Sequence, residues 1–486
     1  MRGPRIALAA AFALAAFVAV LWITRAPGPG LDPDAMSYLG AARSFAEHGT
    51  FRIPAGSWDS PDPTTALAHF PPGFSLVLAV PVKLGADPVG AARVVQALAA
   101  AATAGLAVWL ACGAAGLLGG ALAGLILFAT PGLVLDHYRV LSEPLFLALT
   151  VLTLLLLVRV PDRPLAHGAA AALASLVRYA GVALGGAAAL WALARPGPAR
   201  RRLAGAVVAL LPTALLQGAW TLRSHAESAS VRSFGLKSGV GPTLAEGWGT
   251  LTAWLAPGVA SPVAGGIVTL VIVAVAAVVI ARAAPRARTA LAATGLAAVC
   301  YAGVVLFSRL FADAEIPLDD RLLSPLFLFG ALGVAVASGT LPGTVRVASR
   351  LAAAAVLVLW LAASGWQTGV QVAQARDGGW GYASVDWRES DLVRWLRTEA
   401  RSHAIFSNNP ADVWFATGRE SWNLPLTADS DTVAAFRRVM LQRHGLVVGF
   451  PNPLEPMVRP EELAGRLALP IIARLDGAAV WGPASP

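Results

Sequence analysis

The chain has 486 residues, of which 56% are hydrophobic and only 13% charged, with a mean hydropathy of +0.64. A soluble domain carries about a quarter charged residues, so this composition excludes an ordinary soluble protein; apolar runs of about 18 residues or more recur and indicate a polytopic helical membrane protein. The formal charge of +9 does not point to nucleic acid, because thirteen arginines lie in short connections (residues 2–5, 159–163, 195–202, 282–288 and 346–350) with Asp162 as the only acid among them, which is the positive-inside pattern.

The N-terminal stretch "MRGPRIALAAAFALAAFVAVLWITRAPG" has a basic start and an apolar run from Ile6 to Ile23, with no A-x-A-like site before the polar region. It reads as an uncleaved anchor helix over about 6–24, running outward. Residues 25–88 follow as a long outer segment. Within it "AMSYLGAARSFAEHG" predicts an amphipathic helix. Tyr38, Ala41, Ala42 and Phe45 share one face, Asp34 is placed as the N-cap, and Gly49 supplies the stop. The stretch "FPPGFSLVLAVPVKLG" (70–85) is too short to span and holds Pro81 and Lys83, so it predicts an in-plane juxtamembrane helix.

Segment 89–113 returns inward and 117–135 comes out, joined by the uncharged turn "CGAAG". "DHYRVLSEP" (136–144) is an outer loop, and 145–160 goes back in to end beside Arg159. Residues 165–194 are apolar apart from an interruption at Arg178 and Tyr179. One straight helix there would be about 45 Å long and would put Arg163 and the Arg200 cluster on opposite sides. A hairpin of two half-length passes, with Arg178 at its outer tip, keeps both basic groups inside. Further spans at about 203–220, 262–282, 289–308, 321–340 and 351–366 bring the total to eleven passes. Trp248 and Trp254, between two of them, read as interfacial belt residues. The two cysteines, Cys112 and Cys300, both fall in apolar segments and indicate neither a disulfide framework nor a metal site.

After about residue 367 the composition changes. "DLVRWLRTEA" is an amphipathic helix, while "HAIFSNNP", "GLVVGFPN" and "IIARLDGAAVWGP" are strand-like runs closed by turn residues. The expected organisation is therefore an all-α polytopic membrane domain over 1–366 and an extracytoplasmic α/β domain over 367–486. The most distinctive stretch of the latter, "FSNNPADVWFATGR", reads as loop and helix of an accessory lid or acceptor-docking unit.

This threading brings four polar features to one outer face. They are Asp32 with Asp34, the loop with Arg139 and Glu143, Arg178 at the hairpin tip, and "DAEIPLDDR" with Asp319, Asp320 and Arg321. A carboxylate there can take a proton from an incoming hydroxyl. A guanidinium can hold a lipid phosphate bidentately as it leaves.

The ordered set "DPDAMSYLGAARSFAEHGTF", "HFPPGFSLVLA", "AARVVQALA", "YRVLSEPLF", "LVRYAGVAL" and "DDRLLSPLF", spread over about 300 residues, resembles the GT-C superfamily of polyprenyl-phosphate-sugar-dependent glycosyltransferases, and most of all the protein O-mannosyltransferases and lipid A aminoarabinose transferases. The resemblance implies an inverting glycosyltransferase of the cytoplasmic membrane, with its site on the extracytoplasmic side. Its donor would be a polyprenyl-phosphate sugar, its surroundings membrane lipids, and its acceptor a protein, a glycolipid or a cell-wall glycan. It implies that Asp34 is the catalytic base and that Glu143 is the acid of the second loop. Arg178, Arg321, Arg139, His69 and Tyr38 are candidates for substrate binding. The chain departs from the pattern at Ala35, where many relatives have Glu, and at His69-Phe70, where they have Lys before Pro-Pro. The Asp32-x-Asp34 pair is similar to the metal-binding acids of more distant GT-C enzymes, which makes a divalent metal with candidates Asp32, Asp34 and Glu143 an open cofactor. The readings from other classes are a sugar-lipid transporter and a noncatalytic GT-C scaffold; repeated halves, which transporters tend to show, are not visible here.

Overall fold

The computed structural model describes residues 2–227, 235–313, 315–452 and 457–483. The chain opens with α1 (Gly3–Ile23), α2 (Pro33–His48), the short strands β1 (Arg52–Ile53), β2 (Ala55–Gly56) and β3 (Thr65–Ala66), and α3 (Gly73–Lys83). There follow α4 (Pro88–Ala129), α5 (Pro131–Tyr138), α6 (Glu143–Arg159), α7 (Pro164–Val177), α8 (Val182–Ala194) and α9 (Ala199–Glu227). Next come α10 (Val240–Leu255), α11 (Pro262–Ala281), α12 (Arg288–Phe307), α13 (Asp320–Ser338) and α14 (Val347–Gly378). The last part holds α15 (Val385–Glu389), α16 (Asp391–Thr398), β4 (Ala404–Ser407), α17 (Pro410–Thr417), β5 (Ser421–Asn423) and α18 (Ser430–Gln442). It closes with β6 (Gly445–Gly449), α19 (Pro460–Arg466), β7 (Ile471–Leu475) and β8 (Ala478–Trp481). Two compact units divide the chain: Met1–Ile23, Phe70–Phe74 and Arg93–Gln374 form the first, and Thr24–His69, Ser75–Ala92 and Ala375–Pro486 the second.

The first unit is helical. Seven described helices are long and apolar enough to cross a membrane, and α7 and α8 are shorter apolar ones. Each of the eleven apolar passes read from the sequence is a helix or one arm of a broken helix. The 42 residues of α4 would make a straight rod about 63 Å long, twice a hydrocarbon core. The break falls at Gly116, with φ 77° and ψ −171°, a region open to glycine almost alone. The hairpin at 165–194 is also present: α7 ends at Arg178, which is extended, and a single turn at Tyr179–Gly181 leads into α8. A Cβ on Gly181 would lie 2.5 Å from Ser175 N, so only glycine lets the turn close. Helices approach through small residues, as membrane helices do: a Cβ on Gly168 would stand 2.2 Å from the Ala209 carbonyl oxygen. Large apolar side chains such as Val263, Val299 and Leu351 point outward, as a lipid-facing surface requires.

Three expectations are corrected. The segment before α11 is not merely a loop, because α10 occupies it and buries Trp254 (7% exposed), while Trp248 stays exposed. Trp254 is thus a packing residue rather than a belt anchor. Helix α14 runs on to Gly378, beyond the composition change near 367, since "QTGVQVAQARDG" holds no proline and the single Gly369 costs an interior helix only about 1 kcal/mol. The third correction concerns the cap of α2. Asp32 takes the cap position, Pro33 is the first helical residue, and Asp34 lies in the first turn. Proline is pre-shaped for the first helical position, which sets the start two residues earlier than a cap at Asp34 would need. Gly49 ends the helix in the left-handed conformation, as expected.

The second unit holds a six-stranded sheet in the order β2-β5-β4-β6-β8-β7. Its first four strands are parallel; β8 and β7 are antiparallel additions. Central strands β4 and β6 send alternate residues to opposite faces. Ile405, Leu446 and Val448 pack with Leu392, Val393 and Val413 of α16 and α17, while Phe406 and Val447 pack with Phe436, Met440 and Leu463 of α18 and α19. Strands covered on both faces read as continuous apolar runs, which is why "AIF" and "GLVVG" show no polar alternation. The edge strand β2 comes from the segment after α2, so this sheet draws on both ends of the chain.

Candidate active site

In the helical unit three helix ends converge on one carboxylate. Glu143 opens α6 and is 1% exposed. Its Oε1 accepts from Arg178 Nη1 at 2.6 Å and from Arg321 Nε at 3.1 Å. Arg178 caps the end of α7, and Arg321 sits in the first turn of α13, a turn that Asp319 caps by accepting from Leu322 N at 3.0 Å. Ser142 Oγ accepts from Arg178 Nη1 at 3.2 Å. The guanidinium side chains are 18% and 24% exposed, against 1% for Glu143. A buried carboxylate thus anchors two partly open cations, and the triad keeps an excess positive charge.

The loop that supplies Glu143 is fixed from α4. Gln96 Nε2 donates to the carbonyls of Leu141, at 3.0 Å, and of Arg139. Arg139 turns to the wholly buried Asp136, with Nη2 3.2 Å from Oδ1. His137 is buried with Nδ1 2.6 Å from the Leu133 carbonyl, a structural bond within its own helix. Glu143, Arg178, Arg321 and Arg139 are therefore brought to one region, as the sequence reading expected. Ser142 and Asp136 join them. Neither was singled out, although both lie in the same nine-residue loop.

Asp32, Asp34, Tyr38 and His69 belong to the second unit. Asp32 Oδ1 accepts from Trp380 Nε1 at 2.8 Å, and Leu31 pairs with the backbone of 380–382. These bonds hold the entry to α2 against the α/β fold. Arg43 of the same helix reaches Glu420 at 2.7 Å. Asp34 is half-buried in the first turn, where the helix N-terminus favours a negative charge. Tyr38, one turn later, is 1% exposed and acts as core rather than as an open binding group.

Beside the entry to α2 lies a cavity of about 850 Å³, lined by Leu31, Asp32 and Pro33 on one side and by Tyr382, Asn409 and Asp412 on another. Burial pushes the Asp412 carboxyl up to about 7 despite a hydrogen bond from Tyr382, and burial together with the Asp412 charge raises the Tyr382 hydroxyl. No single stretch of sequence announced this cavity, because its walls come from the start of α2 and from four parts of the α/β fold. Its one legible sign was "FSNNPADVWFATGR".

Among the described residues no three His, Cys, Asp or Glu side chains gather as a metal ion would need. Glu143 carries two guanidiniums on one oxygen, where a dication would be repelled, and Asp32 Oδ1 is taken by Trp380. A carboxylate of this kind can accept a proton, and guanidiniums of this kind can bind an anion.

No protein-family model matches the chain, and no curated protein sequence does. Solved structures do. ArnT from Cupriavidus metallidurans, bound to undecaprenyl phosphate, is 16% identical with a TM-score of 0.60 over 98% of this chain and 97% of its own. The oligosaccharyltransferase of Archaeoglobus fulgidus is 10% identical with a TM-score of 0.54, over 90% of this chain and 69% of its own. The chain has the GT-C fold. A third GT-C structure, the mycobacterial arabinofuranosyltransferase AftD, is 16% identical with a TM-score of 0.53, over 98% of this chain and 41% of its own. The GT-C likeness to ArnT extends through the C-terminal α/β region as well as the helices, since it leaves out only about one residue in fifty of this chain.

Proposed function

We propose that this protein is an inverting glycosyltransferase that moves a sugar from a polyprenyl monophosphate carrier to an acceptor hydroxyl on the outer side of the cytoplasmic membrane. The observation that carries the reading is the pair Arg178 and Arg321 on the buried Glu143, at helix ends of a chain with the fold of a transferase seen with undecaprenyl phosphate. A planar guanidinium matches a phosphate bidentately, and two of them offset the charge that grows on the leaving group. Glu143 then acts as a positioning residue, hidden and doubly paired. Asp34 is the proposed base. It takes the proton of the acceptor hydroxyl as that oxygen attacks the anomeric carbon. The bond from that carbon to the phosphate oxygen breaks with inversion, and the carrier leaves as a monophosphate held by the arginines.

The test uses purified protein and a labelled polyprenyl-phosphate sugar. Asp34→Asn is expected to bind the donor and to lose about 10²–10⁴-fold in transfer. Arg178→Lys keeps the charge but loses the fork; with a charge-assisted bond contributing about 1.5–3 kcal/mol, donor affinity should fall about tenfold or more. A transporter would move the lipid without releasing sugar, and a scaffold would do neither. Near-normal transfer by Asp34→Asn would sink the assignment of the base.

A further inference from the structure

We infer that the 850 Å³ cavity of the α/β unit is the acceptor site and that it takes a neutral, polyhydroxylated glycan; the link to transfer rests on the function proposed above. The volume falls in the range of about 300–1,000 Å³ typical of small-ligand sites. The lining carries five carboxylates, Asp32, Asp386, Glu389, Asp412 and Asp476, and among the described residues that line it none is Lys, Arg or His. Carboxylates accept from sugar hydroxyls, whereas a phosphate or uronate entering here would meet acids and no cation of the lining. The carrier phosphate of the donor is therefore excluded, and so is a phosphorylated glycolipid headgroup.

The site is more than a cluster of acids. Trp387 and Tyr382 line it with their rings 5.1 Å apart in a T-shaped pair, and Phe415 stacks on Tyr382 at 4.4 Å. Apolar sugar faces stack on such rings. The indole N–H of Trp387 has no acceptor among the described residues. Asp412 and Asn409, 8% and 3% exposed, stand in the wall at the start of α17, with Asn409 Oδ1 accepting from Asp412 N at 3.3 Å. The frame is rigid: Asn408 is doubly bonded to the Phe450 backbone at 2.8 Å, and Asp476 accepts from Leu392 N at 2.9 Å. The wall at Leu31–Pro33 is the entry to α2, and the next residue is Asp34. A glycan held here lies against the segment that leads directly into the proposed base.

The experiment measures tryptophan fluorescence of the full-length protein in nanodiscs during titration with unphosphorylated tetrasaccharides of arabinose, mannose, glucose, galactose and rhamnose, with their terminally phosphorylated forms, and with calcium alone. At least one neutral oligosaccharide should bind, its phosphorylated form at least tenfold more weakly, and Trp387→Ala and Glu389→Gln should each weaken it at least tenfold while polyprenyl phosphate binding stays unmoved. Asp34→Asn should bind the oligosaccharide normally. The inference is overturned if no neutral oligosaccharide binds, if the phosphorylated form binds equally well, if calcium alone produces the signal, or if both folded variants bind as the parent does. Oligosaccharide binding by a protein that transfers no sugar would uphold the glycan site and overturn only the enzymatic reading.

Discussion

Glu143 is buried and doubly paired, and its surroundings decide between two roles. A proton acceptor needs access to its substrate; this carboxylate is 1% exposed and shares one oxygen between two guanidiniums. Removing one partner of a buried ion pair leaves the other uncompensated and costs about 3–5 kcal/mol. Glu143→Gln is therefore expected to lower the thermal unfolding midpoint and the donor affinity together, read by detergent-phase melting and lipid binding. Unchanged stability with lost transfer would instead return Glu143 to proton transfer. Asp412 poses the converse case in the α/β unit, where burial raises its carboxyl to about 7. The folded state then binds more protons than the unfolded chain between its ordinary value of 3.8 and about 7, so stability falls as pH rises through that window. In Asp412→Asn this slope should flatten. A pH dependence of melting between 4 and 7 that is the same in the parent and in Asp412→Asn would contradict the burial.

At the scale of elements the turn between α7 and α8 places Arg178, and its geometry makes a sharp demand. Since a Cβ on Gly181 would stand 2.5 Å from Ser175 N, Gly181→Val must push the two half-length helices apart and carry Arg178 off Glu143. Lower folded yield and loss of polyprenyl phosphate binding are expected in size-exclusion and lipid-binding measurements. A folded variant with normal lipid affinity would show that the turn does not set the arginine. This hairpin was legible because charge parity and length left one solution for 165–194. The break at Gly116 was legible from length alone, since its turn "CGAAG" carries no charge. Helix α10 was not, since an apolar helix of 16 residues between polar ends carries the same composition as an interfacial loop. The cap of α2 was misplaced by two residues because Asp32 and Asp34 are equally good caps and only the proline between them decides. The cluster of Glu143, Arg178 and Arg321 could be guessed as sharing a face, but the sharing of one oxygen by two guanidiniums depends on distances that no periodicity encodes. The cavity of the α/β unit was beyond the sequence because its walls are far apart along the chain.

For the whole molecule the open question is which side of the membrane each part meets, and the charge pattern supplies the expectation. Thirteen arginines in the short connections between apolar segments would all lie in the cytoplasm if the N-terminus does. An odd number of passes, eleven, then puts the α/β fold outside. The sheet adds an independent constraint, because β2, from the segment after α1, pairs with β5 of the C-terminal region. Both stretches must occupy the same aqueous compartment, and that holds only if an even number of crossings separates them. Ten of the eleven passes lie between, which meets the condition. Native Cys112 is buried and Cys300 lies within an apolar helix, so a thiol reagent unable to cross membranes should give a low background. Ser402→Cys, exposed in the turn before β4, should be labelled in intact cells. Ala199→Cys, exposed at the start of α9 beside three arginines, should react only after the membrane is opened. Labelling at 199 but not at 402 in intact cells would invert the orientation, and with it move the proposed transfer to the cytoplasmic face.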